Sequence, residues 1–507
     1  MTTHFTTAEV LAATRGTLLQ GRGDAAFCGV STDSRTAQAG QLFIPLKGER
    51  HDGHEYLPKA LSRGVRGVLV EENIFRRGGQ GSKTHLQSSP KPTPPTPYRG
   101  LGGEFEGRAG EPRTKNSPGP PLNIPSEVTV IAVPDTLAAL GDLARAWRDR
   151  FQIPLVAITG SCGKTTTKEM TARVLALAYR VLKNPMNLNN LIGLPQTLFQ
   201  LDNAHEAAVV ELGMNHFGEI RRLAQICRPT VGVLINVHPA HTEGVGCVEG
   251  VARAKGELLD GLDREARLIY NADDPRLACL AQGFPGPTLA FGLGPGAGLK
   301  ARSRQTLGRQ GQTARLEFAG QSWPLTLKVA GVHQLYNALA ATAVGLSLGL
   351  DPREMAGALA EFAPIARRSQ IFTLPSGVHL LNDCYNANPG SMAVALKTLM
   401  ELRDHGQTAA ALGDMLELGR HSLASHRELG RLAAELGLSL LVTYGNFREE
   451  VAAGAREAGL PPKSIFPVTS HAEAAQILKT TLKPGDWLLV KGSRSMHMEA
   501  VVAALED

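Results

Sequence analysis

The decapeptide Ile158-Thr159-Gly160-Ser161-Cys162-Gly163-Lys164-Thr165-Thr166-Thr167 narrows the fold of this chain more than any other stretch. The apolar run Leu155-Val156-Ala157 leads into it. A Gly- and Pro-free segment from Lys164 to Lys183 follows, with Met170, Val174, Leu177, Ala178 and Val181 at helical spacing. The order is strand, tight glycine loop, helix. In such a loop the backbone N–H groups and the helix N-terminus converge on phosphate. The lysine reaches the outer phosphates, and the hydroxyl after it is placed for Mg²⁺. Position 158, where the full pattern carries a glycine, is isoleucine, so this is the shortened form Gly-x-x-Gly-Lys-Thr. Nucleotide binding is the expectation.

With 507 residues, 43% of them hydrophobic, the chain can bury more than one core, and its length suggests about three domains. The formal charge of +6 gives no case for nucleic acid. Residues 76–125 hold eight Lys or Arg against three Glu, a surplus of +5 that leaves the remainder near neutral. The six cysteines are scattered, with no Cys-x-x-Cys, so neither a zinc site nor a disulfide framework is indicated and a reducing, cytoplasmic compartment fits. No secretory signal follows Met1. The charge-free run Val329 to Leu350 could span a bilayer by length. It contains His333, Gln334, Tyr336 and Asn337, and reads as a buried helix rather than a membrane segment.

The predicted fold class is α/β in three domains. Residues 1–150 read as a small α/β unit. Within it, 76–125 carry ten Pro and nine Gly with hardly any apolar residue, and read as a disordered insertion. Residues 151–366 alternate strands with helices, ending in strands near Leu325–Val329 and a helix over 332–348, which implies a mostly parallel sheet with ligands at the strand C-terminal ends. Residues 367–507 repeat the alternation as a Rossmann-like domain. Its first strand is not followed by Gly-x-Gly-x-x-Gly, so no dinucleotide is expected there.

Three polar residues stand out in the central region. Glu211 ends an apolar strand, where a carboxylate is costly unless it meets a cation; a Mg²⁺ contact or a solvent-exposed strand end both satisfy it. His241 follows the strand ending at Asn236 and is either a metal-capable edge residue or a structural loop histidine. Lys255, in Ala254-Lys255-Gly256-Glu257, reads locally as a helix-surface lysine. Asn271-Ala272-Asp273 ends another strand with groups that could bond a ribose or base, or simply form a turn.

Taken in order, the glycine loop, Glu211-Leu212-Gly213-Met214-Asn215, Ala240-His241-Thr242-Glu243-Gly244, Ala254-Lys255-Gly256-Glu257 and Asn271-Ala272-Asp273 resemble the Mur ligases, the ATP-dependent amide-forming enzymes of bacterial peptidoglycan synthesis. Asp383-Cys384-Tyr385-Asn386-Ala387-Asn388-Pro389, Gly413-Asp414-Met415-Leu416-Glu417 and Lys491-Gly492-Ser493-Arg494 resemble the branch that adds D-alanyl-D-alanine to a UDP-N-acetylmuramoyl-tripeptide. The resemblance spans the chain except for the insertion.

The resemblance implies the following roles. Gly160, Ser161, Cys162, Gly163, Lys164, Thr165 and Thr166 cradle ATP, and Lys164 neutralises its outer phosphates. Thr165 and Glu211 hold one Mg²⁺, while His241 and a carbamylated Lys255 serve a second; Lys164, Lys255 and His241 are the catalytic set. Asn271 and Asn337 approach the adenine side, Asp383 the ribose, and Arg368 (or its neighbour Arg367) a phosphate. Tyr385, Asn386 and Asn388 meet the dipeptide, and Ser34, Arg35, Phe43 and Gly48 the UDP sugar. The cofactors implied are ATP, two Mg²⁺ and CO₂ as a lysine carbamate. The molecule is expected to act as a monomer without nucleic-acid partners, closing its domains during turnover. Gln334 and Asn382 depart from the family pattern at positions where Asn and Asp are usual. The insertion is open to two readings, a tolerated surface loop or a basic tether to anionic partners. The rivals in function are a sister ligase, a folylpolyglutamate-type synthetase, and a catalytically dead nucleotide-binding scaffold.

Overall fold

The computed structural model describes residues 4–48, 51–72, 75–77, 84–86, 124–185 and 188–506. The chain divides into two compact units, Met1–Trp147 and Arg148–Asp507.

In the first unit a five-stranded sheet runs in the order Thr17–Gln20, Thr129–Val133, Gly67–Glu71, Leu42–Phe43, Val30–Ser31. Its first pair is antiparallel and the rest are parallel. The all-apolar stretches Val68-Leu69-Val70 and Val130-Ile131 are buried on both faces, as parallel central strands require. Most of the expected insertion 76–125 lies outside the described residues. At its start Phe75–Arg77 pairs antiparallel with Thr84–Leu86.

The second unit carries two sheets. The larger has nine strands, ordered Val181–Lys183, Ala207–Glu211, Leu155–Thr159, Val231–Leu234, Arg267–Asn271, Thr288–Gly292, Leu299–Thr306, Gln312–Phe318 and Gln321–Leu327. The first seven are parallel, and two antiparallel hairpins complete the edge. The sequence reading finds only the last strand of this arm. Its signal is nevertheless present, because Ala314, Leu316, Trp323, Leu325 and Leu327 recur at every second position along the two strands and are buried.

The segment after the glycine loop also differs from expectation. The helix is Lys164–Leu175, not a run to Lys183, and Val181–Lys183 instead pairs in parallel with Ala207–Val209. Leu177, placed on the apolar stripe by helical spacing, is 43% exposed. Here ladder hydrogen bonds at the sheet edge override a local helical pattern that a β-branched valine already weakens. The helix Val332–Ser347, by contrast, falls where the charge-free run predicts, and it packs Leu335, Leu339 and Val344 into the core beneath this sheet. No helix among the described residues is long and apolar enough to cross a membrane.

The smaller sheet has six strands: Gln370–Thr373, His379–Asn382, Trp487–Lys491, Thr408–Gly413, Leu440–Tyr444 and Ile465–Val468. All are parallel except the first pair. Helices cover both faces, giving one core around Leu396, Leu412 and Leu489 and another around Val442, Leu488 and Val502.

Candidate active cleft

The C-terminal ends of both sheets in the Arg148–Asp507 unit open onto one cleft of about 710 Å³. Parallel α/β sheets bind ligands at this edge because helix N-termini and loop N–H groups converge there.

On the side of the nine-stranded sheet, the glycine loop joins Leu155–Thr159 to the helix starting at Lys164. Gly163 adopts a φ of 83°, and a Cβ there would lie 2.5 Å from Asn337 Oδ1, so a larger residue is excluded both by conformation and by space. The Ser161 and Cys162 N–H groups donate to Asn236 Oδ1 at 3.1 and 3.0 Å, and Asn236 Nδ2 returns a bond to the Cys162 carbonyl at 3.1 Å. Ser161 Oγ donates to the His238 carbonyl at 3.0 Å, and Thr166 is buried in the first helical turn. Lys164 Nζ donates to the Gly160 carbonyl at 2.9 Å. Burial pushes the Lys164 amine below its ordinary pKa, and nearby Glu211 works the other way. Burial also disfavours the Cys162 thiolate, but contact with His238 and the charges of Lys164 and Lys491 outweigh it and lower the thiol.

Glu211 is 1% exposed at the end of its strand. Its Oε2 accepts from the Thr165 hydroxyl at 2.7 Å and its Oε1 from Asn189 Nδ2 at 2.6 Å. Of the two readings open in the sequence, the solvent-exposed carboxylate is the one this geometry overturns. His241 lines the same cleft, with Nδ1 2.6 Å from Glu417 Oε2, an ion-pair approach whose geometry is not that of a hydrogen bond, so that Nδ1 is buried without a hydrogen-bond partner. Contact with His241 lowers the Glu417 carboxyl, against the effect of burial. Lys255 corrects its local reading too: it is 2% exposed, not a surface lysine. Burial first, and then Lys164, push its amine well below the usual lysine range, while Cys162 opposes them. Val251, Ala252 and Ala254 are buried beside it on the helix Val248–Gly256, while Arg253 and Glu257 nearby in sequence give it the pattern of a surface position.

Asn271 Nδ2 donates to the Ile235 carbonyl at 3.0 Å while its Oδ1 accepts from Asp273 N–H at 3.0 Å. Asn337 lies against the glycine loop, with Oδ1 accepting from Thr167 at 3.1 Å and Nδ2 donating to Gln334 at 3.1 Å. The departure at Gln334 is thus a buried partner for Asn337. The other departure, Asn382, accepts weakly from Cys384 N–H at 3.4 Å.

The six-stranded sheet contributes the opposite wall. Asp383 is fully engaged: Oδ2 accepts from Lys491 Nζ at 2.6 Å and Oδ1 from Ser369 N–H at 2.8 Å. Arg368 lies over the Tyr385 ring, 3.8 Å from its centroid, and lines the cleft, whereas Arg367 pairs with Glu499. Asn386 is exposed at the wall and its carbonyl accepts from Lys491 at 2.8 Å. Asn388 caps the helix Pro389–Leu402 through Ser391 N–H at 2.8 Å and extends Nδ2 to the Ser161 carbonyl at 3.3 Å. The sequence reading passes over Asn189, Asn236 and Ser369; only Asn236 carries a visible signal, a polar residue closing an apolar strand.

In the other unit, Ser34 is 7% exposed and Arg35 pairs with Asp33 at 2.7 Å, which holds the Asp33 carboxyl down at about 2. Gly48 is exposed. Phe43 departs from its expected ligand-lining place. At 1% exposure it is a core residue, because inward-facing aromatic surface on a short central strand is worth more buried than wet.

A glycine loop facing a paired carboxylate and hydroxyl, with a second sheet closing the cleft, defines a nucleotide-dependent transferase or ligase of α/β type. Models of the Mur ligase middle domain, the Mur ligase glutamate ligase domain and the Mur ligase family catalytic domain match residues 158–345, 367–494 and 27–80. The chain belongs to the Mur ligase family and is an ATP-dependent ligase of peptidoglycan precursor synthesis. It is 35% identical to the UDP-N-acetylmuramoyl-tripeptide--D-alanyl-D-alanine ligase of Synechocystis sp. over 477 residues, covering 94% of this chain and 91% of that protein. It is 32% identical to the Bacillus subtilis enzyme of the same name, covering 94% and 93%. The crystal structure of MurF from Acinetobacter baumannii superposes with a TM-score of 0.82 at 28% identity, covering 100% of this chain and 99% of that one. MurF from Thermotoga maritima, solved in complex with ADP, gives 0.76 at 26% identity, covering 94% and 96%.

Proposed function

We propose that this chain joins D-alanyl-D-alanine to the terminal carboxylate of a UDP-N-acetylmuramoyl-tripeptide through an acyl phosphate, with residues 1–150 gripping the UDP sugar, 151–366 the ATP and 367–507 the dipeptide. The supporting observation is a single cleft lined by the glycine loop, by the Thr165–Glu211 pair and by the Arg368, Asp383 and Asn386 wall.

The carboxylate is a poor electrophile, because attack by an amine would have to expel oxide. Transfer of the terminal phosphoryl group of ATP onto its oxygen makes phosphate the leaving group. Lys164 and the loop N–H groups neutralise charge on the transferring group. The dipeptide amine then attacks the acyl carbon, the C–O bond to phosphate breaks, and the amide, ADP and phosphate result. In this reading Asn386, exposed on the wall, orients the dipeptide, and Arg368, which lines the cleft, meets phosphate. Ser34, Arg35 and Gly48 remain the UDP-sugar candidates, with Phe43 supporting them from the core.

The Thr165 hydroxyl and Glu211 carboxylate, in direct contact, are an oxygen donor set suited to Mg²⁺. Among the described residues no three His, Cys, Asp or Glu side chains converge as a closed cage. That also suits Mg²⁺, which takes few protein ligands and completes its shell with phosphates and water. When bound there it supplies charge neutralisation for phosphoryl transfer. His241 would hold a second ion together with a carbamate on Lys255. Burial disfavours the charged form of the Lys255 amine, and the neutral amine is the form that adds CO₂, the new N–C bond releasing a proton and leaving an anionic oxygen donor.

The test incubates the full chain with UDP-N-acetylmuramoyl-tripeptide, ATP and D-alanyl-D-alanine, diaminopimelate, lysine or glutamate in turn. Phosphate release and a product mass increased by the dipeptide less water are expected with D-alanyl-D-alanine alone. Turnover with only one of the other three would overturn the assignment.

A further inference from the structure

The loop after the strand Thr408–Gly413 is restrained at each successive residue. Asp414, 2% exposed, accepts from the Asn446 and Phe447 N–H groups at 2.7 and 3.1 Å. Met415 N–H donates to His426 Nε2 at 2.9 Å, and Leu416 N–H to Ser493 Oγ at 2.9 Å. The next residue, Glu417, adopts a φ of 63°, and His241, which it meets at 2.6 Å, a φ of 54°. Left-handed backbone is unfavourable for a non-glycine residue and persists where the surroundings impose it, most often at functional sites. Here two such residues, one from a loop of each sheet, face each other. Further bonds tie the same loops: Glu243 N–H donates to the Glu417 carbonyl at 3.2 Å, and Thr242 Oγ1 to the Leu418 carbonyl at 3.1 Å.

We infer that Glu417 is a positioning residue for His241: its carboxylate, 2.6 Å from Nδ1 although not aligned as a hydrogen bond in this structure, favours the proton on Nδ1 and thereby presents Nε2 as the lone pair offered to a divalent cation. The inference rests on the reading of His241 as a metal ligand. A ligating histidine is ordinarily fixed through its other ring nitrogen by a carboxylate, which sets the tautomer and raises the donor strength. In this chain the carboxylate comes from the six-stranded sheet and the imidazole from the nine-stranded one. The cation site is therefore fully built only while the two layers are apposed, which couples seating of the second layer to metal affinity.

The experiment titrates Mn²⁺ into the ADP-saturated full chain by electron paramagnetic resonance, for the parent, Glu417→Gln, Glu417→Ala and His241→Ala. Glu417→Gln preserves shape while removing the charge, so it decides the matter even if Glu417→Ala folds poorly. The expected result is 10–100-fold weaker Mn²⁺ binding in Glu417→Gln and His241→Ala, with the melting temperature of Glu417→Gln unchanged. A raised KM for Mg²⁺ with kcat retained at saturating Mg²⁺ is expected alongside. Parent-like Mn²⁺ affinity in Glu417→Gln, with His241→Ala weakened, overturns the role of Glu417 alone. Parent-like affinity in His241→Ala overturns the metal reading of His241 and this inference with it.

Discussion

The two parallel sheets of the Arg148–Asp507 unit end on the same cleft but equip their edges differently. The nine-stranded sheet presents backbone: a glycine loop, a helix N-terminus, and short side chains such as Thr165 bonded within the same layer. The six-stranded sheet presents side chains already committed to one another, Asp383 to Lys491 and Ser369, Arg368 to Tyr385. The first arrangement holds its charged groups on neutral partners that a ligand can exchange, Lys164 on the Gly160 carbonyl and Glu211 on Thr165 and Asn189, and the second pairs charge with charge in a rigid wall. Equal topology thus says little about which sheet acts on the substrate; whether each charged group is already neutralised by an opposite charge says more.

The contrast predicts that substitutions at the first sheet's charged groups cost activity and those within the second sheet's Asp383–Lys491 pair cost stability. Lys164→Ala should lower phosphate release about 10³-fold while leaving the melting temperature near that of the parent. A large loss of stability in this variant would break the comparison. Lys491→Met should destabilise by about 3–5 kcal/mol in urea unfolding, because it strands the Asp383 carboxylate in a site where the pair is 3% and 15% exposed. Replacing both partners, as in Lys491→Met with Asp383→Leu, should recover part of that loss.

His333 sharpens the boundary between the layers, since its Nε2 contacts Ser369 Oγ at 3.3 Å while its Nδ1 is buried without a hydrogen-bond partner. Burial lowers its pKa to about 4, with Asp383 opposing. The unfolded chain, whose histidine titrates near the ordinary value of about 6.5, therefore binds the proton first as pH falls. The stabilising contribution is whole above pH ~6.5 and lost progressively toward pH ~4, on the order of 3 kcal/mol in all. His333→Gln should flatten that limb in pH-dependent urea melts; an unchanged limb would remove His333 from the account. The smallest effect belongs to Arg304, which meets Glu401 across the layers with the two side chains 23% and 33% exposed. Arg304→Ala should cost less than about 1 kcal/mol, and less still in high salt.

Much of this organisation is legible in the sequence. The alternation of apolar runs with helical spacing gives both parallel sheets, and the motif Gly-x-x-Gly-Lys-Thr fixes the edge at which a nucleotide sits. Residues whose role depends on depth are not legible. Lys255 has the spelling of a surface helix residue, and only its 2% exposure in the folded chain reveals a buried amine. Leu177 shows the reverse error, an apolar residue at helical spacing that ends up exposed once Val181–Lys183 joins the sheet edge. Asn189 and Ser369 meet their partners Glu211 and Asp383 across 22 and 14 residues, and no local pattern encodes such a meeting.

The carboxamide of Asn236 has a kinetic consequence. One oxygen occupies both the Ser161 and Cys162 amides, so anything that takes those donors arrives by exchange rather than by simple addition. The incomer replaces one good acceptor with another, gains little from those two bonds themselves, and must draw its hold from the positive charge beyond them. Such a stand-in keeps the loop shaped while it waits and turns away neutral molecules that offer acceptors without charge.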